Sequence, residues 1–384
     1  MLTAQIAIIG GGLSGLYAAS LLEERGITDY VLFEARDTFG GRIVSVPGMP
    51  GALPNPAEQH LTPERYDLGA TWFWPDLQPD LHKLVDDLRI PTFEQHEAGD
   101  ILIERSPAQS PARVDGYATS PSARRLAGGM STLIDAVRHR LPADKLIVSH
   151  RVTRVAQLES CIEVTAEDTT GKLSTHRVAS VLLAVPPRLA ASTIDFVPAL
   201  PEAVTRQWTS CPTWMAPHAK YVAVFDQPFW RTHGLSGGAR SAVGPLVEIH
   251  DASPEAEGAA LFGFIGVPAG IRRTVPESTL IALCRAQLVR LFGDQAGSPR
   301  AEFLKDWSTD PHTATAADQQ ADGHHAMSLA RTPGSGAWTN RLIGIASEWS
   351  PAFSGYVAGA IDAARRGVEA VASQHASACE KVQS

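Results

Sequence analysis

The chain has 384 residues, of which 44% are hydrophobic and 19% charged, with a formal net charge of −8. That balance argues against nucleic acid as the main partner, which needs a clustered basic surface, and no apolar run reaches the ~18 residues that span a membrane. The N-terminus lacks a basic segment of the secretory type, and Cys161, Cys211, Cys284 and Cys379 lie far apart in the sequence, so a cytoplasmic protein with reduced thiols is expected.

Residues 5–9 form an isoleucine-rich run of strand length. Leu13, Leu16, Tyr17, Ser20 and Leu21 then recur at helical spacing, with Gly26 as a C-cap. Residues 30–33 read as a second strand. This strand–turn–helix–strand unit opens a doubly wound α/β fold. Residues 43–66, rich in Pro and Gly, read as a loop, and 77–88 and 129–141 as helices, the latter with Leu133, Ile134 and Val137 on one side. Segments 146–156, 161–166 and 177–185 predict the strands of a small sheet. Residues 218–225 alternate as a strand, 261–267 form another, 278–291 a helix, and 355–372 a final helix rich in small residues. Residues 376–384 are expected to fray.

The turn after the first strand reads GGGLSG, with GxGxxG spacing at Gly10, Gly12 and Gly15. The first glycine permits a tight turn, the second lets backbone approach a pyrophosphate, and the third lets helix and sheet pack closely. The helix N-terminus adds unpaired N–H groups and positive potential. Glu34 ends the second strand, where a carboxylate can accept from a ribose hydroxyl and repels a 2′-phosphate. A second glycine pair, Gly40 and Gly41, followed by Arg42, suits the other side of a pyrophosphate. That element selects FAD over a nicotinamide cofactor.

With these pieces in place the chain resembles the flavin-containing monoamine oxidase family, which includes polyamine oxidases and bacterial amine oxidases. IAIIGGGLSGLYAA with FEARDTFGGRI resembles the family's N-terminal FAD signature, and YDLGATWFWP its segment along the flavin. RRLAGGMSTLIDAV with HRVTRV, LLAVPP, HAKYVAVFDQPFW and IASEWSPAFSGYVAGAIDAA follow in family order. The resemblance implies a Rossmann-like, discontinuous FAD-binding domain (1–75, 122–200 and 320–375). An α+β substrate domain (76–121 and 201–319) would be interleaved with it. It places Gly10, Gly12, Leu13, Ser14 and Gly15 at the pyrophosphate. Glu34, Ala35 and Arg36 fall at the adenosine end, and Gly41 and Arg42 near the phosphates. Gly69, Ala70, Thr71 and Trp72 lie along the isoalloxazine, and Val152 bonds adenine through its backbone. Trp307 belongs to the cofactor set. Glu348 sits near the ribityl chain, and the Val357 N–H faces a flavin carbonyl on which negative charge grows.

Lys220 shares a strand face with Val222 and Val224, where a buried ammonium is costly without a partner. The resemblance makes it the flavin-side lysine that assists reaction with oxygen. Tyr356 matches one wall of the family's aromatic cage for a substrate amine. The other wall departs from the pattern. The ungapped match puts Ala316 and Ala317 where relatives carry an aromatic residue or a cysteine bonded to FAD. Noncovalent FAD and an incomplete cage are therefore expected, with Trp349, Trp214 or Phe73 as candidates for the missing wall. His324 and His325 lack a third ligand at metal spacing, so no metal is expected. The resemblance implies oxidation of a small-molecule amine with O2 as acceptor. The alternatives are an amino acid, carotenoid-like or porphyrinogen-like substrate, or an FAD-binding protein without catalysis. The oligomeric state is open.

Overall fold

The computed structural model describes residues 2–48, 65–255, 258–320, 329–334 and 336–383. Contacts divide the chain into two units. Residues 1–42, 134–216 and 311–384 form the first, and 43–133 and 217–310 the second.

The first unit is built on a five-stranded parallel sheet ordered Leu146–Ile147, Tyr30–Phe33, Ile6–Ile9, Ser180–Leu183, Leu342–Gly344. Ile6–Ile9 and Tyr30–Phe33 are buried at every position. Strands covered on both faces read as unbroken apolar runs, which is how they appear in the sequence. Helix Leu13–Glu24 makes the crossover between them, and the C-terminal helix Val357–Gln383 packs against it. A second sheet, mainly antiparallel, runs Leu2–Thr3, Leu173–Val178, Ile162–Asp168, His150–Gln157, Asp195–Val197. The core of this unit joins Ile9, Phe33, Leu183, Trp208, Trp338 and Trp349.

The second unit is organised by a seven-stranded sheet ordered Ala301–Asp306, Ala219–Phe225, Ala259–Ile265, Leu246–Asp251, Leu235–Ser241, Asp100–Glu104, Ala112–Val114. Ala219–Phe225 is an interior strand, buried at all seven positions. Its alternation divides two apolar clusters. Tyr221, Ala223 and Phe225 join Leu261, Leu288 and Phe292, while Val222 and Val224 join Tyr66, Leu68 and Phe262. Lys220 shares the parity of the second set.

Several expectations are corrected. The segment read as a loop over 43–66 contains strand Ser45–Pro47, which pairs with Arg65–Asp67; residues 49–64 lie outside the described residues. The helix read as fraying over 376–384 continues to Gln383. The unit boundaries also differ. Residues 43–75 and 122–133 group with the second unit, tied there by Asp67, which accepts from the Ser45 hydroxyl and the Met130 N–H. Residues 201–216 and 311–319 group with the first, because Trp208 enters its core and Asp318 pairs with Arg188.

The first helix leaves the first strand through one steric contact. A methyl group at Gly15 would fall on the carbonyl oxygen of Gly10, far inside van der Waals distance. The backbone cannot yield there without separating helix from sheet. We expect Gly15→Ala to destabilise the protein by about 3 kcal/mol, the upper range for overpacking, read as a lowered midpoint in urea unfolding. An unchanged midpoint would contradict the packing described.

Candidate active site

In the first unit the glycine turn shows which of its residues the fold requires. Gly12, the N-cap of helix Leu13–Glu24, differs from Gly15: a methyl group there would meet nothing nearer than 3.8 Å. No protein atom demands glycine at this position, and the space above the backbone fits the close approach of a pyrophosphate. The first turn of the helix carries no acidic side chain and its N-cap makes no side-chain hydrogen bond. This leaves its dipole and N–H groups for an anion. Leu13 is buried, and the Ser14 hydroxyl donates to the Ile345 carbonyl, so what these two residues can offer a ligand is their N–H groups. Gly12 and Gly40 form an isolated parallel bridge, which brings the second glycine pair beside the first.

Glu34 is buried and accepts from the Gly11 N–H at 2.7 Å and the Arg36 N–H at 2.8 Å. These bonds fix the carboxylate at the end of its strand, while its remaining lone pairs can accept hydroxyl protons. Ala35 lies between them. The Arg36 guanidinium donates to the Thr313 hydroxyl at 3.2 Å. Arg42 binds the buried Glu348 with two hydrogen bonds of 2.6 and 3.0 Å and also donates to the Ser347 hydroxyl. Val152 is buried on strand His150–Gln157 beside an irregularity in register, and Val357 begins the C-terminal helix. These residues fit a dinucleotide: an open glycine, a free helix N-terminus, and an oriented carboxylate.

The candidates for the missing aromatic wall separate. Trp349 is buried in the core, edge-on to Trp208 at 5.4 Å. Phe73 is fully buried in the second unit, its ring 6.4 Å from His82. Ala316 and Ala317 lie exposed in the short helix Ala316–Gln320. Tyr356 is 43% exposed and stacks on Trp214 at 5.5 Å and 27°. His324 and His325 lie outside the described residues; among the described residues no group of His, Cys, Asp or Glu could hold a metal ion.

The second unit holds the lysine. Lys220 is 3% exposed, donates to the Thr71 hydroxyl at 2.6 Å and the Gly69 carbonyl at 3.3 Å, and lies 4.0 Å from the Phe262 ring centroid. The sequence segment 69–73 is thereby brought onto the strand that carries it. Trp72 donates to Gln95 at 2.8 Å and packs on His250 and Phe262, with Ala70 two residues before it in the chain. Trp307 is buried and donates to the Leu68 carbonyl at 3.1 Å. Burial pushes the Lys220 ammonium down to about 7; the Asp67 charge opposes that shift and the Arg125 charge adds to it. Burial likewise raises Asp67, against the pull of Lys220 and Arg125. Sequence reading missed this pair of buried charges. The Asp of YDLGATW stood in view as a motif residue, whereas nothing near Arg125 signals that its guanidinium donates inward to the Ser253 and Ala252 carbonyls.

A family model for flavin-containing amine oxidoreductase matches residues 98–372, and one for an NAD(P)-binding Rossmann-like domain matches residues 8–88. The chain belongs to the flavin-containing amine oxidoreductase family, and is an enzyme of that family. It is 24% identical over 406 residues to a probable flavin-containing monoamine oxidase A of Dictyostelium discoideum, covering 80% of this chain and 84% of the relative. An L-amino acid dehydrogenase of Synechocystis sp. is 24% identical over 264 residues, 66% of this chain and 52% of the relative. Among solved structures, wild-type putrescine oxidase bound to putrescine superposes with a TM-score of 0.76 at 21% identity, over 98% of this chain and 99% of that one. No helix among the described residues is long and apolar enough to cross a membrane.

Two measurements follow. Gly12→Ala should leave the thermal midpoint unchanged and weaken flavin uptake about tenfold or more, because the added methyl occupies the ligand's side of the turn; flavin titration of the apoprotein checks this, and unchanged affinity would refute the assignment. Lys220→Met takes the lysine's titration out of the stability curve, while Asp67 stays buried beside Arg125. The sign with pH is fixed by linkage. Between about 7 and the ordinary lysine value of 10.5 the unfolded chain holds a proton that the folded one has lost, so wild-type stability rises with pH. Relative to the wild type, Lys220→Met should therefore lose stability as pH rises from ~7 toward ~10, read in urea unfolding at several pH values; a constant difference would contradict a depressed lysine.

Proposed function

We propose that this enzyme oxidises an amine, using noncovalently bound FAD and O2. The product is an imine that water hydrolyses to a carbonyl compound, with hydrogen peroxide released. The observation that carries this reading is Lys220, a buried amine bonded to Thr71 and Gly69 in the family's DLGATW segment. FAD, when bound, supplies the two-electron oxidation of the substrate C–H bond.

The protein's own residues supply position and charge. The open backbone at Gly12 and the N-terminus of its helix receive the pyrophosphate. The Glu34 carboxylate accepts from the adenosine ribose, and the Arg42–Glu348 pair sets the charge on the phosphate side. Lys220 works by proton transfer. With its ammonium held near 7 it exchanges a proton at Nζ near neutral pH, and Thr71 Oγ1 fixes the direction of that exchange. Tyr356 offers a ring face to the substrate nitrogen. An apolar setting favours the uncharged amine, so no side-chain base is required at the substrate. Support for noncovalent attachment comes from the alanines at 316 and 317, and from Cys211 and Cys284. Both thiols are buried and held protonated, pushed up to about 12.

The test is peroxide release from the purified holoprotein over a panel of primary, secondary and polyamines. We expect turnover with at least one class, rising with pH as the amine loses its proton. Lys220→Met should lower the rate of reaction with oxygen about 100-fold, as loss of a proton-transfer group does, while flavin content stays at the wild-type level. A panel without turnover, or a Lys220→Met enzyme that reacts with oxygen at the wild-type rate, would sink the proposal.

A further inference from the structure

The short helix Ala316–Gln320 lacks an aromatic side chain at Ala316 and Ala317, yet it carries Asp318, which is 1% exposed. One Asp318 oxygen accepts from Arg188 at 2.6 Å and from the Thr213 N–H at 2.9 Å; the other accepts from the Thr315 N–H and hydroxyl, both at 2.8 Å. A single buried carboxylate thus fastens residue 213 in place. The next residue is Trp214. Its carbonyl accepts from Arg42 at 3.4 Å, so the tryptophan is held on both sides. Met215 follows with φ +63°, a left-handed conformation that a non-glycine residue keeps only where its surroundings enforce it. The bend delivers the Trp214 ring onto Tyr356, stacked at 5.5 Å and 27°. The residue before Tyr356 makes room. Gly355 has φ +83°, and a methyl group there would lie 2.5 Å from the Trp214 Cβ.

We propose that Trp214 is a positioning residue for amine oxidation, stacking on Tyr356 to hold its ring while Asp318 anchors the segment, so that an aromatic pair replaces the wall absent at 316 and 317. The inference rests on the amine-oxidase reading above. It explains why a buried carboxylate directly follows the alanines, why a methionine bends backward after the tryptophan, and why glycine precedes the tyrosine. The rings are too close for a substrate between them. The pair acts as one surface, with Tyr356 presenting its other face and Trp214 fixing its orientation.

A double-mutant cycle tests this with the holoenzyme and the best amine of the panel. Trp214→Ala should raise KM about five- to tenfold, the scale of one stacked aromatic contact, with a smaller change in kcat and unchanged flavin content. Trp214→Phe, which keeps a ring, should restore most of the loss. In a Tyr356→Ala background, Trp214→Ala should add little, because the contact it works through is gone. Additive effects, or a KM unchanged in Trp214→Ala, would overturn the inference and leave the amine reading standing. Absence of wild-type turnover with every amine would overturn both. A fluorotyrosine placed at position 356 reads the stack without turnover. Its fluorine resonance should move on Trp214→Ala, and a resonance that does not move would also refute the contact.

Discussion

The structure depends first on the contact between Gly15 and the carbonyl of Gly10. Because no side chain can stand at Gly15, the first helix starts directly above the first strand and its N-terminus opens at the strand's end. The remaining parts of the dinucleotide site are fixed relative to that opening. Glu34 is tied to it through the Gly11 N–H, Gly40 through a backbone bridge to Gly12, and Ser14 through the Ile345 carbonyl. The glycines of one turn thus do different work. Gly15 is required by the protein's own packing, whereas a methyl group at Gly12 would meet nothing nearer than 3.8 Å.

The second unit poses a different physical problem, a lysine on the interior strand of a sheet. Its neighbours Val222 and Val224 are apolar and its register partners are Phe264 and Lys305. Such a group persists because Thr71 and Gly69 accept its protons and Asp67 shares its burial. The arrangement costs stability, which proteins tolerate where chemistry uses it. Arg125 works against Asp67 on the same lysine, so its proton affinity is set by two opposed buried charges together with desolvation.

Much of this was legible in the sequence because local chemistry and fold agree there. Tyr30–Phe33 and Ile6–Ile9 announce buried parallel strands, and the parity of Lys220 with Val222 and Val224 survives into the two clusters that flank its strand. Other elements left no local signal. Leu235–Ser241 reads LSGGARS, with two glycines and no alternation, yet lies inside a sheet because the nearby Leu246–Asp251 pairs with one side and Asp100–Glu104, distant in sequence, with the other. Ala112–Val114 is three exposed residues, too short to stand out. The unit boundaries escaped for the same reason, since Asp67 and Asp318 assign their segments through contacts across long chain separations. Among the wall candidates, composition could not rank three aromatics. Trp349 and Phe73 are buried, and only the stack on Tyr356 distinguishes Trp214.

The central claim is that the first unit's glycine turn holds FAD without a covalent bond. The most direct measurement is the flavin content of the purified protein before and after acid precipitation. The account predicts one FAD per chain, all of it released into the supernatant. A colourless protein that takes up no added FAD, or a flavin that stays with the precipitate, would contradict it.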